Sequence, residues 1–387
     1  MVRSAVKVIF LLLPASICSW AGTVVYSVTE VPLTGVYGLN SSNQVVGDYG
    51  GYAAVWSLAG NAVTVLPVPA GATNDGGAAM AIDSSGQVVG EYNNGSSYLP
   101  FFYDPAGGST NINVPLDLQS TAYSFTSLND GGTFVGSTYG GSLFTGTASG
   151  LQPLSGPGAS AAYGINNAGT VAGTGVQCDP TNTYCQPTAL IYPNSLISQV
   201  GYGAPFYASE AVAINSRGRV IGNADQNGAY LTNQYVFEYD PVSDSLVYLS
   251  QDYFGTHRGT LVGVGPGGIN DAGDIVGQGT AGTASTPGCD ASGIDPYNGR
   301  VCQPTGAISY GGTASVSLTD LVDPNWDITN AYSINNAGGI LAYGVDYDPS
   351  NSYSGYVLLE PSGVPEPSTA LGLLAGLAAL VTLRRRR

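Results

Sequence analysis

The sequence predicts an all-β fold, a seven-bladed β-propeller closed by pairing its N- and C-terminal strands. Three observations predict it. One short phrase recurs seven times, a pair of apolar strands lies between successive phrases, and the body starts and stops on complementary half-units.

The phrase reads small, apolar, Asn or Asp, two variable residues, Gly or Asn, one variable residue, two apolar residues, Gly. Its first copy is Gly38-Leu39-Asn40-Ser41-Ser42-Asn43-Gln44-Val45-Val46-Gly47. It recurs around Asp83, Asn129, Asn166, Asn215, Asn270 and Asn335, at spacings of 43, 46, 37, 49, 55 and 65 residues, periods typical of propeller blades. The seventh copy departs from the pattern, with Tyr343 before Gly344. Asn or Asp leads a tight turn by bonding its own downstream backbone, and Gly three residues later supplies positive φ. The phrase is therefore a β-hairpin. Calcium is the alternative at Asn270-Asp271-Ala272-Gly273-Asp274, but each loop has fewer carboxylates than a standard calcium loop. No cofactor is expected.

Between phrases lies a second hairpin. Its first strand is Ala53-Ala54-Val55-Trp56, Pro100-Phe101-Phe102-Tyr103 or Ala189-Leu190-Ile191-Tyr192, and its turn is often Asp-Pro, as at Asp104-Pro105 and Asp240-Pro241. A second apolar strand follows, such as Ala62 to Val68. Two hairpins make a four-stranded blade. After the seventh phrase only a first strand remains, Gly355 to Leu359, and before the first phrase only a second strand, Thr23 to Leu33. Pairing them completes the seventh blade and protects its edges. A β-solenoid or two smaller β domains are the alternatives, and an open solenoid has no need of complementary halves.

The ends carry a different signal. Arg3 and Lys7 precede the apolar run Val8 to Leu13, and Ser19 and Ala21 stand before Gly22, so residues 1–21 read as a secretory signal peptide with a short helix. A buried first helix is the alternative. At the other end Pro365-Glu366-Pro367 leads into Ala370 to Leu383, an uncharged, mostly apolar run, and Arg384, Arg385, Arg386 and Arg387 close the chain. A helix of ~15 residues spans roughly 22 Å, short of the hydrocarbon core but usable as a transmembrane helix with snorkelling arginines. The arginines hold that end in the cytoplasm and leave the body outside.

This tail, 364–387, resembles the PEP-CTERM sorting signal, with its Pro-Glu-Pro, hydrophobic helix and basic end in order. The resemblance implies an exosortase-type processing protease in a Gram-negative cell. It further implies transient inner-membrane anchoring, cleavage near Pro365 to Pro367, and delivery to the cell surface or extracellular matrix. The phrase resembles the HAF-type extracellular repeat of secreted bacterial proteins, and that resemblance covers nearly all of the body, 22–363. It brings no catalytic residues with it.

Composition narrows the partners. Between the ends stand no lysine and four arginines, Arg217, Arg219, Arg258 and Arg300, against twenty-five Asp and Glu, a net charge of −21. Nucleic acid and anionic membrane surfaces would be repelled. Cys178 and Cys185, and Cys289 and Cys302, are close pairs whose second member begins Cys-Gln-Pro-Thr, and they predict two loop-stapling disulfides suited to an exported protein. A zinc site is disfavoured by the spacing, and the lone His257 is far from the first pair.

Antiparallel connections alternate between the two faces of a ring. The phrase turns and the Asp-Pro turns share one face, here the short-turn face. The longer connections, including both cysteine loops, share the other, the long-loop face. Variable loops on a rigid scaffold are where binding resides. Tyr253, His257, Arg258, Asp323, Trp326 and Asp327 are the candidates there, the aromatics to stack on sugar rings and the charges to hold hydroxyls or an acidic sugar. The competing reading has Trp326 packed against its loop and the charges solvated.

With one histidine, catalysis has little support. A two-carboxylate glycosidase is the class the composition allows, using Glu210 with Asp252 or Asp323. The expectation is a non-enzymatic surface or matrix protein that interacts with exopolysaccharide or other envelope proteins. A lectin-like glycan-binding propeller and a secreted glycan hydrolase or lyase are the rivals.

Overall fold

The computed structural model describes residues 25–69, 76–181, 183–193, 195–200, 208–225, 234–249, 261–279, 305–313, 315–350 and 352–362. Within them the body is a seven-bladed β-propeller of seven four-stranded sheets. Residues 1–21, 364–387, Cys289 and Cys302 lie outside the described residues, so the signal helix, the sorting tail and the second disulfide do too. Among the described residues no helix is long and apolar enough to cross a membrane.

Blade one shows the plan: Gly35–Leu39, Gln44–Tyr49, Tyr52–Ser57 and Ala62–Val65 pair in chain order. The later blades open on Gly77–Ile82, Tyr123–Leu128, Ala161–Ile165, Ala208–Ile214, Leu261–Gly263 and Trp326–Ile334. In the seventh, the C-terminal region supplies three strands and Val25–Glu30 supplies the outermost, beside Tyr353–Ser362. The Val31 N–H extends that pairing to the Tyr356 carbonyl at 2.8 Å. The closure read from the two half-units is thus present.

Each blade buries both faces against its neighbours. Val46, Val55, Ile82, Val88 and Phe101 join blades one and two, while Trp56, Val45, Leu341 and Leu358 join blades one and seven. The aromatic of the second hairpin supplies the bulk: Trp56, Phe144 and Phe237 are fully buried. Such a side chain contributes about 2–3 kcal/mol by leaving water. The Trp56 indole N–H donates to Asn61 Oδ1 at 3.1 Å, which satisfies its one polar atom.

The phrase's last glycine has a structural reason that the turn does not supply. The opening strand of every blade carries a bulge, as between Val36 and Gly38 or Ala211 and Ala213. The bulge drives a carbonyl toward the second strand. A Cβ on Gly47 would run into the Gly35 carbonyl, and one on Gly222 into the Glu210 carbonyl. Gly90, Gly136, Gly173 and Gly277 face the same obstacle. The seventh blade has Ala342 in that place and a second bulge between Ile328 and Asn330.

Candidate functional site

Each opening strand ends at the short-turn face, where the ring's axis is lined by one aliphatic residue per blade and then by the phrase Asn or Asp. The turn geometry repeats. Asn40 Oδ1 accepts the N–H groups of Ser42 and Gln44, both at 3.0 Å, and Asn166 Oδ1 accepts those of Ala168 and Thr170 at 3.1 and 2.9 Å. The third residue after each Asn or Asp has positive φ: a glycine in six copies, Gly86 through Gly338, and Asn43 in the first.

The side-chain amides do something the turn does not need. Asn40 Nδ2 donates to the Asp83 carbonyl at 2.9 Å, in the next blade. Asn129 does the same to Asn166, Asn166 to Asn215, Asn215 to Asn270, and Asn270 to Asn335, at 3.0 to 3.4 Å. Asn335 closes the circle on the Asn40 carbonyl at 2.8 Å. Only the Asp83 step lacks this bond, because a carboxylate has no N–H to give. An Asx turn is served equally by Asp and Asn, so the strong preference for Asn was the available clue to this ring.

The following residue forms a second tier. Asp130 accepts from the Ser84 N–H at 3.0 Å and from Asn167 Nδ2 at 2.7 Å, and Asp271 accepts from the Ser216 N–H and Asn336 Nδ2, both at 2.8 Å. Burial acts to raise the Asp130 pKa, but these donors outweigh it and hold the carboxyl below the usual range. In the segment considered for calcium, Asp271 is turned to neighbouring blades and Asp274 accepts from Asn270 Nδ2 at 3.1 Å.

The long-loop face is different. An axial cavity of about 490 Å³ opens there, lined by Tyr37, Tyr332, Gln278, Asn330 and Asn223 among others. A second cavity of about 320 Å³ lies between blades four and five, lined by Tyr163, Thr174, Pro187, Glu210, Asn223 and Asp225 among others. Asn223 belongs to both.

The residue after the phrase glycine explains the second cavity. In blade two it is Glu91, whose Oε2 accepts the Tyr123 N–H of blade three at 2.9 Å. In blade five it is Asn223, which donates to the Val264 carbonyl and accepts the Val264 N–H, both at 3.0 Å. In blade four it is Thr174, a shorter side chain, 5% exposed. Its hydroxyl sits beside that of Tyr163 and does not reach the next blade as Glu91 and Asn223 do. Glu210 Oε2 accepts from the Tyr163 hydroxyl at 3.2 Å and Oε1 from Asn223 Nδ2 at 3.0 Å. Burial first, and then the Glu210 charge, push the Tyr163 hydroxyl well above the ordinary tyrosine range, so it stays protonated and donates.

Cys178 and Cys185 are bonded, with Cα atoms 3.9 Å apart, at the end of the hairpin whose strands carry Thr174 and Pro187. The bridge staples the long-loop end of blade four beside the cavity.

The sequence-predicted binding residues divide in two. Tyr253, His257 and Arg258 lie outside the described residues. Asp323 lies on the connection into blade seven, whereas Trp326 and Asp327, expected on that loop, are the first two residues of the strand Trp326–Ile334 and pair with Asp346 and Val345; each of the three has a packing or turn contact. Asp323 accepts the Asn325 N–H at 3.0 Å, Trp326 packs on the Tyr353 ring at 6.0 Å between centroids, and Asp327 accepts from Thr319 Oγ1 at 2.9 Å. Glu210 and Asp323 do not share a cavity, and Asp252 lies outside the described residues. Among the described residues no group of three or more His, Cys, Asp or Glu is placed to hold a metal ion.

The sequence matches no family model and no curated protein. Among solved structures the chain is similar to virginiamycin B lyase from Staphylococcus aureus, at 10% identity and a TM-score of 0.45, over 86% of this chain and 98% of that one. It is also similar to a TolB protein from Agrobacterium tumefaciens, at 11% identity and a TM-score of 0.37, over 69% of this chain and 86% of that one. The dipeptidyl peptidase 4 of Porphyromonas gingivalis matches at 8% identity and a TM-score of 0.41, over 83% of this chain and 52% of that one. Likeness at this level assigns neither substrate nor activity.

Proposed function

We propose that the chain is an exported, non-enzymatic surface or matrix protein whose ring binds exopolysaccharide or other envelope proteins. The observation that carries the reading is the division of labour between the faces. One mouth carries the uniform asparagine ring, while the other holds the two larger cavities and the Cys178–Cys185 bridge. A disulfide of this kind persists in oxidising compartments, which favours export. Residues 1–21 act as the signal peptide. The tail with Pro365, Glu366, Pro367 and Arg384 to Arg387 anchors the chain in the inner membrane until an exosortase-type protease cuts it.

Fractionation with mass analysis of the mature termini tests the export and sorting part. Mature protein in the envelope or medium should start near Gly22 and lack the arginine end; a surface form that keeps the arginines sinks the sorting reading. A glycan hydrolase is the second reading, favoured by Glu210 and Asp225 lining one cavity. Release of reducing ends from polysaccharide, abolished by Glu210→Gln, would replace the scaffold reading with it.

A further inference from the structure

We propose that the axial cavity of the long-loop face binds an uncharged polysaccharide, with the rings of Tyr332 and Tyr37 stacking on its sugars. The inference rests on the scaffold reading above and adds the ligand class and the residues that take it.

Strand irregularity brings these rings to the axis. The extra residue of a bulge is left out of the ladder, and bulges re-aim such a side chain. Four of these extra residues, Tyr37, Met80, Thr126 and Tyr332, line the cavity of about 490 Å³. Tyr332 of blade seven and Tyr37 of blade one come from adjacent blades and are 37% and 55% exposed. The departure of the seventh phrase supports the first of them. Tyr343 stands at the position that Glu91 and Asn223 hold in their blades. Its ring meets Tyr356 edge-on at 5.6 Å between centroids, and Tyr356 meets Tyr332 at 6.0 Å. Tyr356 itself packs against the core between blades one and seven. The Asn330 side chain donates to the Tyr332 hydroxyl. Tyr332 is thus held by its neighbours and still has open surface. A ring fixed in this way gives contact area at little entropic cost.

The wall sets the ligand class. Among the described residues no charged side chain lines the cavity, in a body of net charge −21. Asp48, near Tyr37, is turned to Thr34 and the Gly51 backbone. A uronic acid is repelled by the body and finds no cation in the cavity. An ammonium is drawn to the body but finds no carboxylate there to replace its water. A neutral pyranose has an apolar C–H face and hydroxyls at its edge. The tyrosine rings suit the first, and Gln278, Asn330, Ser124 and Ser333, which can both donate and accept, suit the second. The volume falls within the roughly 300–1,000 Å³ of small-ligand sites. A protein partner would ask for a broad apolar core, whereas these tyrosines stand in a recess among polar groups.

The test is calorimetric titration of the full chain at pH 6. The neutral probes are maltotriose, cellotriose and an N-acetylglucosamine trimer; the others are a galacturonic acid trimer, a glucosamine trimer and the uncharged peptide N-acetyl-trialanine amide. At least one neutral trimer should bind about tenfold or more tighter than the charged trimers and the peptide. Tyr332→Ala and Tyr37→Ala should each weaken it about tenfold, the worth of one stacked ring. Tyr332→Phe keeps the ring and should stay within roughly threefold of wild type. Tyr139→Ala removes a ring 85% exposed on the same face but outside the cavity, and should change nothing. Equal losses in Tyr139→Ala and Tyr332→Ala would mean unspecific contact with exposed tyrosine and overturn the proposal. So would Tyr332→Phe falling as far as Tyr332→Ala, charged trimers or the peptide binding as tightly as every neutral trimer, or no neutral trimer bound by a wild type that melts cooperatively. If Tyr332→Ala does not fold, Tyr37→Ala and Tyr332→Phe decide. Failure of the scaffold reading shows elsewhere, as chain that fractionation finds inside the cell, and leaves the titration interpretable.

Discussion

The two mouths of the ring are built from the same strands and treat polar side chains in opposite ways. At the short-turn face six of the seven phrase side chains are asparagines at the same register that reach the next blade: six amide donors meet six carbonyls. At the long-loop face the equivalent inter-blade position changes identity, Glu91 in blade two, Thr174 in blade four, Asn223 in blade five. In blades two and five that residue bridges to the next blade, and in blade four the shorter Thr174 lines a cavity. Uniformity at one end fixes the ring, and variation at the other makes a site.

The largest expected effect lies in the uniform end. Asn166→Ala removes two turn bonds and the inter-blade bond to Asn215, all at a buried position. It should cost about 2–4 kcal/mol in a urea melt; a loss under about 1 kcal/mol would mean the amide ring does not hold the blades together. Reducing the Cys178–Cys185 bridge, which spans seven residues, should cost about 2 kcal/mol. Thermal melts with and without reductant read this, and an unchanged midpoint would remove the staple from the account of the long-loop face.

A smaller effect runs the other way. Asp83→Asn supplies the missing donor to the Asn129 carbonyl while keeping an oxygen for the Ser85 and Gln87 N–H groups. It gives up one of Ser85's two contacts to the carboxylate. A net gain of about 0.5–1 kcal/mol should follow. If the variant is no more stable than the parent, the ring does not act as a continuous set.

The smallest effect is a contrast in pH slope. Burial raises the Glu91 carboxyl pKa, against the opposing Tyr123 N–H, so the folded value exceeds the unfolded one. Its contribution is therefore full below the unfolded pKa and falls as pH rises through the folded one. Asp130 is held low, so its contribution is present above the unfolded pKa and is lost as pH falls through the folded one. Glu91→Gln should flatten the first slope and Asp130→Asn the second, in melts across the acid range. Both groups are partly exposed, so the shifts are small after screening. Slopes of the same sign would break the contrast between the mouths.

Periodicity decided the architecture. The number of blades, the order of strands within each, the closure by Val25–Glu30 beside Tyr353–Ser362, and the Cys178–Cys185 pair could all be read from the chain. These depend on patterns only a few residues long, repeated, and on one rule for finishing a ring. What lay across a blade boundary could not be read that way. The turn asparagine discloses its own downstream bonds, but its amide's partner stands a whole blade further on. The phrase glycine shows no cause until the bulged carbonyl opposite it is in place. Thr174 is an unremarkable strand residue until Glu91 and Asn223 show what that position does elsewhere. Local hydrogen-bond geometry is written in neighbouring residues; contacts between blades are set only when the sheets pack, and the tertiary structure alone decided which were made and which was left open.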